Sequence, residues 1–213
     1  MNYSISLENL SYSIQGKRIV DNVNFGIEKN KIFIISGHNG AGKTTLLRLM
    51  AGIITPTSGK INYYFSNKKI KHIKGPLSGF IFQKPIFLNR TVFENLKHAL
   101  CSVYEDIREK EVIELINQTL IRLRIDHLSN IHAKNISLGE QQIVAMARAI
   151  IVKPQVLFCD EPTNSMDYSN KKFFEENILE ISEKLPVIIV THDQEQAKRL
   201  SNNILTMENG KFI

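Results

Sequence analysis

Eight consecutive residues constrain this chain more than any other feature: Gly37-His38-Asn39-Gly40-Ala41-Gly42-Lys43-Thr44. They fit the spacing G-x-x-x-x-G-K-[ST]. An apolar run, Ile32-Phe33-Ile34-Ile35, precedes them, and a helix-like run over 45–50 follows. Strand, glycine-rich turn and helix in that order make a cradle for phosphate. The glycines let backbone N–H groups wrap the phosphates without Cβ clashes, and the helix N-terminus adds partial positive charge. Lys43 has the reach to meet β- and γ-phosphates, and the Thr44 hydroxyl is placed to ligate Mg²⁺. Gly37, His38, Asn39, Gly40, Ala41, Gly42, Lys43, Thr44 and the following Thr45 are therefore the first candidate nucleotide-binding residues. A strand that feeds a helix through such a turn belongs in an α/β fold.

Two further runs, Val156-Leu157-Phe158-Cys159 and Val187-Ile188-Ile189-Val190, are also apolar at every position. Such runs suit parallel strands covered on both faces, and ligands bind beyond the carboxyl ends of these strands. The first run ends in Asp160-Glu161, the second in Thr191-His192-Asp193. Asp160, at the strand tip, suits holding Mg²⁺. Glu161, one residue on, points elsewhere and is the candidate to polarise an attacking water.

The rest of the chain has other rhythms. Tyr3, Ile5 and Leu7 alternate with polar residues, as do Val23, Phe25 and Ile27, which predicts an antiparallel sheet with one wet face. Residues 60–65 read as another such strand after the turn Pro56-Thr57-Ser58-Gly59. Between 84 and 153 the spacing becomes helical. Thr91-Val92-Phe93-Glu94 is a capping box for a helix reaching about Cys101, and Val112, Leu115, Ile116, Leu120 and Leu123 share one face of a second helix. Ile204-Leu205-Thr206-Met207, then Asn209-Gly210, then Phe212-Ile213 reads as a hairpin.

At 213 residues, 43% hydrophobic and 23% charged, the chain has the composition of a globular protein, and disorder is excluded as its main theme. We expect one domain over 1–213, with a helical insertion at about 84–153. Lys and Arg outnumber Asp and Glu by 27 to 21, a net charge of +6. Much of the lysine sits beside Asn and Ile, as in Asn67-Lys68-Lys69-Ile70, which reads as compositional bias, and no nucleic-acid partner is expected. No apolar run approaches the roughly 20 residues of a membrane span. The start, Met1-Asn2-Tyr3-Ser4-Ile5, lacks the basic-then-apolar pattern of a signal peptide. Cys101 and Cys159 lie far apart and form no CxxC pair, so neither a disulfide framework nor a zinc site is expected, and a reducing cytoplasm is the natural home.

One segment narrows the reading further. Ile136-Ser137-Leu138-Gly139-Glu140-Gln141-Gln142-Ile143-Val144-Ala145-Met146-Ala147-Arg148-Ala149-Ile150 resembles the L-S-G-G-E-Q-Q-R-V-A-I-A-R-A-L signature of ATP-binding cassette (ABC) ATPases. The resemblance runs from about Ile5 to Phe212. It implies a P-loop NTPase core with a mainly parallel sheet, an N-terminal antiparallel β subdomain and an inserted helical signature subdomain, with ATP and Mg²⁺ as cofactors. Ser137 and Glu140 form a capping box, so free N–H groups and a positive dipole end face outward. In the family that end meets the γ-phosphate of ATP held by a second copy, which implies nucleotide contacts for Ser137 and Gly139 across a head-to-tail dimer.

The family also supplies roles for other positions. Tyr12 matches the aromatic that stacks on adenine, with a structural strand-end Tyr as the alternative. Gln83, after a strand over 79–82, matches the glutamine that touches Mg²⁺ and links to a transmembrane partner. Asp167, in Asn164-Ser165-Met166-Asp167, matches the D-loop, and His192 matches the switch histidine that contacts the γ-phosphate. Two departures stand out. Ile143 replaces an arginine, and Leu138 replaces a glycine. A leucine there either crowds the phosphate or points away toward the helical region or the facing subunit. Retention of Ser137, Gly139 and Glu140 favours the second orientation, with about 1–2 kcal/mol from its burial.

A single cassette without a membrane segment resembles an importer subunit, which implies a permease partner, a solute-binding protein beyond it, and a peripheral place on the inner face of the membrane. The segment Phe82-Gln83-Lys84-Pro85-Ile86-Phe87-Leu88-Asn89-Arg90-Thr91-Val92 resembles tungstate-type oxyanion importers, as does Gln196-Ala197-Lys198-Arg199-Leu200-Ser201. Phosphate and amino-acid importers are the nearest alternatives, and a soluble ABC ATPase of a non-transport complex is the other class. The importer reading predicts an exposed apolar groove near 85–88 that receives a permease helix.

Overall fold

The computed structural model describes residues 3–28, 31–65, 68–70 and 78–213. Met1, Asn2 and Asn67 of the segments named above lie outside them. Two sheets organise the chain. The first is antiparallel, in the order β2-β1-β4-β5, from β1 (Tyr3–Ile14), β2 (Lys17–Glu28), β4 (Ser58–Phe65) and β5 (Lys68–Ile70). The alternation read from the sequence is present: Ile5, Leu7, Val23 and Ile27 are buried. The register of β1 on β2 shifts between Leu7 and Leu10, beside Asn9, which has a φ of 48°. Such an irregularity sharpens the local twist and bends the sheet over the core.

The second sheet runs β10-β9-β3-β8-β7-β6. It comprises β3 (Ile32–Ser36), β6 (Ser78–Ile81), β7 (Val156–Asp160), β8 (Val187–Thr191), β9 (Ile204–Glu208) and β10 (Lys211–Phe212). All neighbours are parallel except the terminal β9–β10 hairpin. Every residue of β7 and β8 is buried. Alternate side chains explain this. Leu157, Cys159, Val187 and Ile189 enter one hydrophobic core with the helices, while Val156, Phe158, Ile188 and Val190 enter another beneath the antiparallel sheet. A strand with a core on each face is apolar at every position up to its functional tip, here Asp160 and Thr191, and so reads as an unbroken apolar run.

Helix α1 (Lys43–Met50) lies in the second core, with Leu46, Leu47, Leu49 and Met50 fully buried. Between β6 and β7 come α2 (Val92–Cys101), α3 (Glu109–Arg122), a short 3-10 turn at Asp126–Leu128, and α4 (Leu138–Ile151). Reciprocal capping boxes start α2 at Thr91 and Glu94, and α4 at Ser137 and Glu140. Helices α5 (Tyr168–Ser182) and α6 (Gln194–Leu200) begin at the side chains of Asp167 and Asp193. Among the described residues no helix is long and apolar enough to cross a membrane.

Boundaries differ from the sequence reading by one or two residues. The strand expected at 60–65 starts at Ser58, inside the expected turn, because Ser58 pairs with Ser11. The strand expected at 79–82 runs Ser78–Ile81. Each of the three apolar strands continues one polar residue further, since Ser36 pairs with Thr191 and Asp160 with Val190. That extension sets the first residue of each functional loop rigidly in the sheet.

Candidate nucleotide-binding and hydrolysis site

The loop between β3 and α1 is shaped by packing as much as by any ligand. Gly37 has a φ of 151°, and a Cβ there would lie 2.2 Å from the Met207 carbonyl oxygen. Gly42 has a φ of 101°, and a Cβ would lie 2.5 Å from the Ile19 carbonyl oxygen. Both glycines are thus required by close approach of β9 and β2. The loop is also held by the Gly210 amide, which donates to the Ala41 carbonyl at 3.0 Å.

Lys43 is buried, and its Nζ donates to the carbonyl oxygens of Gly37 and His38 at 2.9 Å each. Burial pushes its pKa down, and the nearby charges of Glu161 and Asp160 oppose that shift. Thr44 Oγ1 donates to Asp160 Oδ1 at 2.8 Å. Asp160 is 2% exposed; burial raises its pKa, and the Thr44 hydrogen bond partly offsets this. A hydroxyl and a carboxylate this close offer hard oxygen donors, the type a small divalent cation takes.

Glu161 is the hub. Its φ of 44° places it in the left-handed region, uncommon for a residue with a Cβ and often found at functional sites. Its amide donates to the Val190 carbonyl at 2.9 Å, which fixes the backbone against β8. One carboxylate oxygen, Oε2, accepts from Gln83 Nε2 at 3.0 Å and from Asn164 Nδ2. The other, Oε1, lies 3.3 Å from His192 Nδ1 and 3.9 Å from Lys43 Nζ. The His192 side chain remains half exposed.

A cavity of about 560 Å³ opens over this group. Asn39, Gly40, Gly42, Lys43, Thr44, Thr45, Gln83, Glu161 and His192 line it, so the structure gathers most of the expected residues. Asn164 joins as a partner of Glu161 that the sequence reading passed over. His38 and Gly37 line the neighbouring groove, with His192, α6 and β9.

Tyr12, opposite Val20 of β2, packs partly buried against the core beneath the antiparallel sheet, beside the part of β2 that reaches the cavity. Lys17 and Ile19 of β2 line the cavity, and Ile14, the last residue of β1, pairs with Lys17 and is 49% exposed.

Ser137, Gly139 and Asp167 form a second locus away from that cavity. Ser137 Oγ accepts from the Glu140 amide at 3.3 Å, and Glu140 Oε2 accepts from the Ser137 amide at 2.8 Å. The Ser137 hydroxyl, which donates to Glu140 Oε2 at 2.6 Å, and then the Ser137 amide hold the Glu140 carboxyl below its ordinary range. Asp167 Oδ1 accepts from the Asn170 amide at 2.9 Å, and a Cβ on Gly139 would meet Asn170 Nδ2 at 2.9 Å. Asn170 therefore locks Asp167 beside the start of α4. Leu138 is 59% exposed. Within one chain Leu138 is therefore not buried against the helical region, one of the two places expected for it, the facing subunit being the other. Ile143 is buried in the helical core.

The segment after Gln83 shows the expected apolar exposure. Ile86 is 75% and Leu88 39% exposed, while Phe87 packs under the Arg148 guanidinium, 4.9 Å from the ring centre.

Residues 20–164 match the ABC transporter family. The tungstate uptake system ATP-binding protein TupC of Peptoclostridium acidaminophilum is 36% identical over 97% of this chain and 95% of its own length. The sulfate/thiosulfate import ATP-binding protein CysA of Pectobacterium atrosepticum is 32% identical over 97% of this chain, which spans 64% of that longer relative. Among solved structures, a dimeric bacterial ABC transporter cassette superposes with a TM-score of 0.88 at 25% identity, covering 98% of this chain and 96% of the other. The cbiO1 protein of Clostridium perfringens, part of the cbiONQ transporter complex, gives 0.85 at 28% identity, covering 100% and 88%. With the phosphate loop, the Asp160–Glu161 pair and the Ser137 capped helix set on this fold, the chain belongs to the ABC transporter family as an ATP-binding cassette that hydrolyses ATP.

Proposed function

We propose that this cassette drives uptake of an oxyanion of the tungstate or molybdate type through a partner permease. The observation that carries the hydrolytic part is the convergence of Lys43, Gln83, Asn164 and His192 on Glu161. The phosphate loop and Lys43 bind the ATP phosphates. The Lys43 ammonium leaves the Gly37 and His38 carbonyls for the β- and γ-phosphates, and its buried charge is then better compensated. Glu161 accepts a proton from the attacking water, with Gln83 and Asn164 fixing the carboxylate and His192 positioned toward the γ-phosphate. Thr44, Asp160 and Gln83 would hold Mg²⁺, which supplies electrostatic neutralisation of the phosphates. The base lies over the β1–β2 hairpin, where Tyr12 stacks on it beside Lys17 and Ile19.

Ser137, Gly139 and Asp167 face a second copy in a head-to-tail pair, since they lie apart from their own phosphate loop. The dimeric form of a similar cassette supports this pairing. In this reading the exposed Ile86 and Leu88 receive a permease helix, the chain sits peripherally on the inner face of the membrane, and a solute-binding protein serves the permease from the other side. The oxyanion assignment rests on relatives named for tungstate and for sulfate or thiosulfate uptake.

Isolation of the chain with its membrane partner tests this reading. A multi-span protein should co-purify, and Ile86→Asp with Leu88→Asp should release it while ATP binding persists. Tungstate-dependent stimulation of ATPase activity in the assembled transporter identifies the solute. Co-purification with a soluble assembly alone would instead assign a non-transport role, and stimulation only by phosphate or amino acids would reassign the solute.

A further inference from the structure

The two loci of this chain are joined by one buried side chain. Gln142, on the first turns of α4, is 1% exposed. Its Nε2 donates to the Gln83 carbonyl at 2.8 Å and to the Phe82 carbonyl at 3.3 Å. Those two acceptors fix the orientation of the amide, because a flipped amide would set its oxygen against two carbonyl oxygens. The Oε1 atom is consequently left buried with no hydrogen-bond partner, the one side-chain atom of this kind among the described residues. Buried polar atoms are nearly always paired, so an orphan calls for a physical reason.

The connections on either side of Gln142 supply one. On one side its helix begins at Ser137, the end that faces the second copy. On the other side the same Gln83 whose carbonyl it grips sends its side chain to Glu161 Oε2 at 3.0 Å. Arg148, further along α4, grips the same loop by donating to the Ile86 carbonyl at 2.6 Å. The start of α4 and the hydrolytic carboxylate are thus linked through Gln142 and Gln83 by an unbroken run of short contacts. We propose that Gln142 is a positioning residue that couples the two ATP sites of the dimer. ATP engaged at Ser137 of this chain shifts α4, Gln142 carries the Gln83 segment with it, and Gln83 resets Glu161 at the chain's own site. Oε1 is the acceptor for a backbone N–H of the Gln83 segment in the shifted arrangement. This inference rests on the head-to-tail pairing proposed above.

The test compares wild type with Gln142→Met, which keeps side-chain length and burial but removes both amide functions. ATP hydrolysis is followed against ATP concentration, beside nucleotide affinity, ATP-dependent dimer formation and melting temperature. Wild type should show a sigmoidal rate curve. In Gln142→Met the curve should become hyperbolic and kcat fall by about tenfold, within the range of ordinary coupling between sites, while nucleotide affinity stays within about twofold. If Gln142→Met fails to fold, Gln142→Asn serves, since its shorter amide cannot span both carbonyls, and the same outcome is expected. A folded variant with sigmoidal kinetics and normal kcat overturns the inference alone, as does a rate loss explained wholly by weaker nucleotide binding. A wild-type chain that hydrolyses ATP strictly as a monomer overturns the pairing, and the inference with it.

Discussion

Glu161 and Lys43 share a buried site in which each partly compensates the other, 3.9 Å apart. Lys43→Ala should therefore weaken nucleotide binding and reduce hydrolysis on the order of a hundredfold or more, since a charge aimed at the reacting phosphate is lost. Equilibrium binding and steady-state ATPase assays check this. Glu161→Gln keeps size and hydrogen bonding but removes the base. It should bind ATP normally and turn it over at least about a hundredfold more slowly, so that the ATP-bound form accumulates. Near-normal turnover would move the role to another residue. Leu138→Gly is a third case at this scale. Since Leu138 is 59% exposed, its removal should cost no core packing, and the loss should be confined to helix propensity, at most about 1 kcal/mol. Thermal melting and ATPase rate together separate this from obstruction, which would appear as a large gain in rate at unchanged stability. The gathering of Lys43, Thr44, Asp160 and Glu161 at one place was legible because spacing and strand context fix it. Asn164 and Gln142 were not legible as partners, because their contacts depend on distant backbone.

Helices and strands were legible where local chemistry is strong. The capping boxes at Thr91 and Ser137 set the starts of α2 and α4 as expected, because side chain and backbone satisfy each other within four residues. Helices α5 and α6 are capped by Asp167 and Asp193, and α5 lacks the capping-box spacing that marks α2 and α4. The caps carry a pH prediction. Hydrogen bonds from Thr91 and Ser137 hold the Glu94 and Glu140 carboxyls below their ordinary value of 4.5. The stability they lend is therefore complete above that value and lost as pH falls through the lowered ones. Ser137→Ala should cost about 0.5–2 kcal/mol at neutral pH and progressively less in acid. Urea unfolding across that pH range measures it, and a cost independent of pH would separate the cap from the Glu140 charge. At the strand level, Phe158→Ala in β7 should cost about 3–5 kcal/mol, because Phe158 is fully buried between the sheets.

At the scale of the whole molecule, the parallel strands place the phosphate loop, Asp160–Glu161 and His192 at one edge, while the helices between β6 and β7 place Ser137 elsewhere. The first arrangement was legible, since three apolar runs each led into a polar loop. The second was carried by the signature pattern alone, because no local rule says where an inserted helical segment will face. The central claim is that each ATP is served by the phosphate loop of one copy and the Ser137 end of another. An isologous pair makes both sites at once. Mixing Lys43→Ala with Ser137→Ala subunits tests it most directly. Half-and-half dimers carry both lesions in one site and none in the other, so the mixture should recover ATPase activity that neither pure variant shows. Activity no higher than the mean of the two pure variants, in a mixture shown to form mixed dimers, would contradict the account.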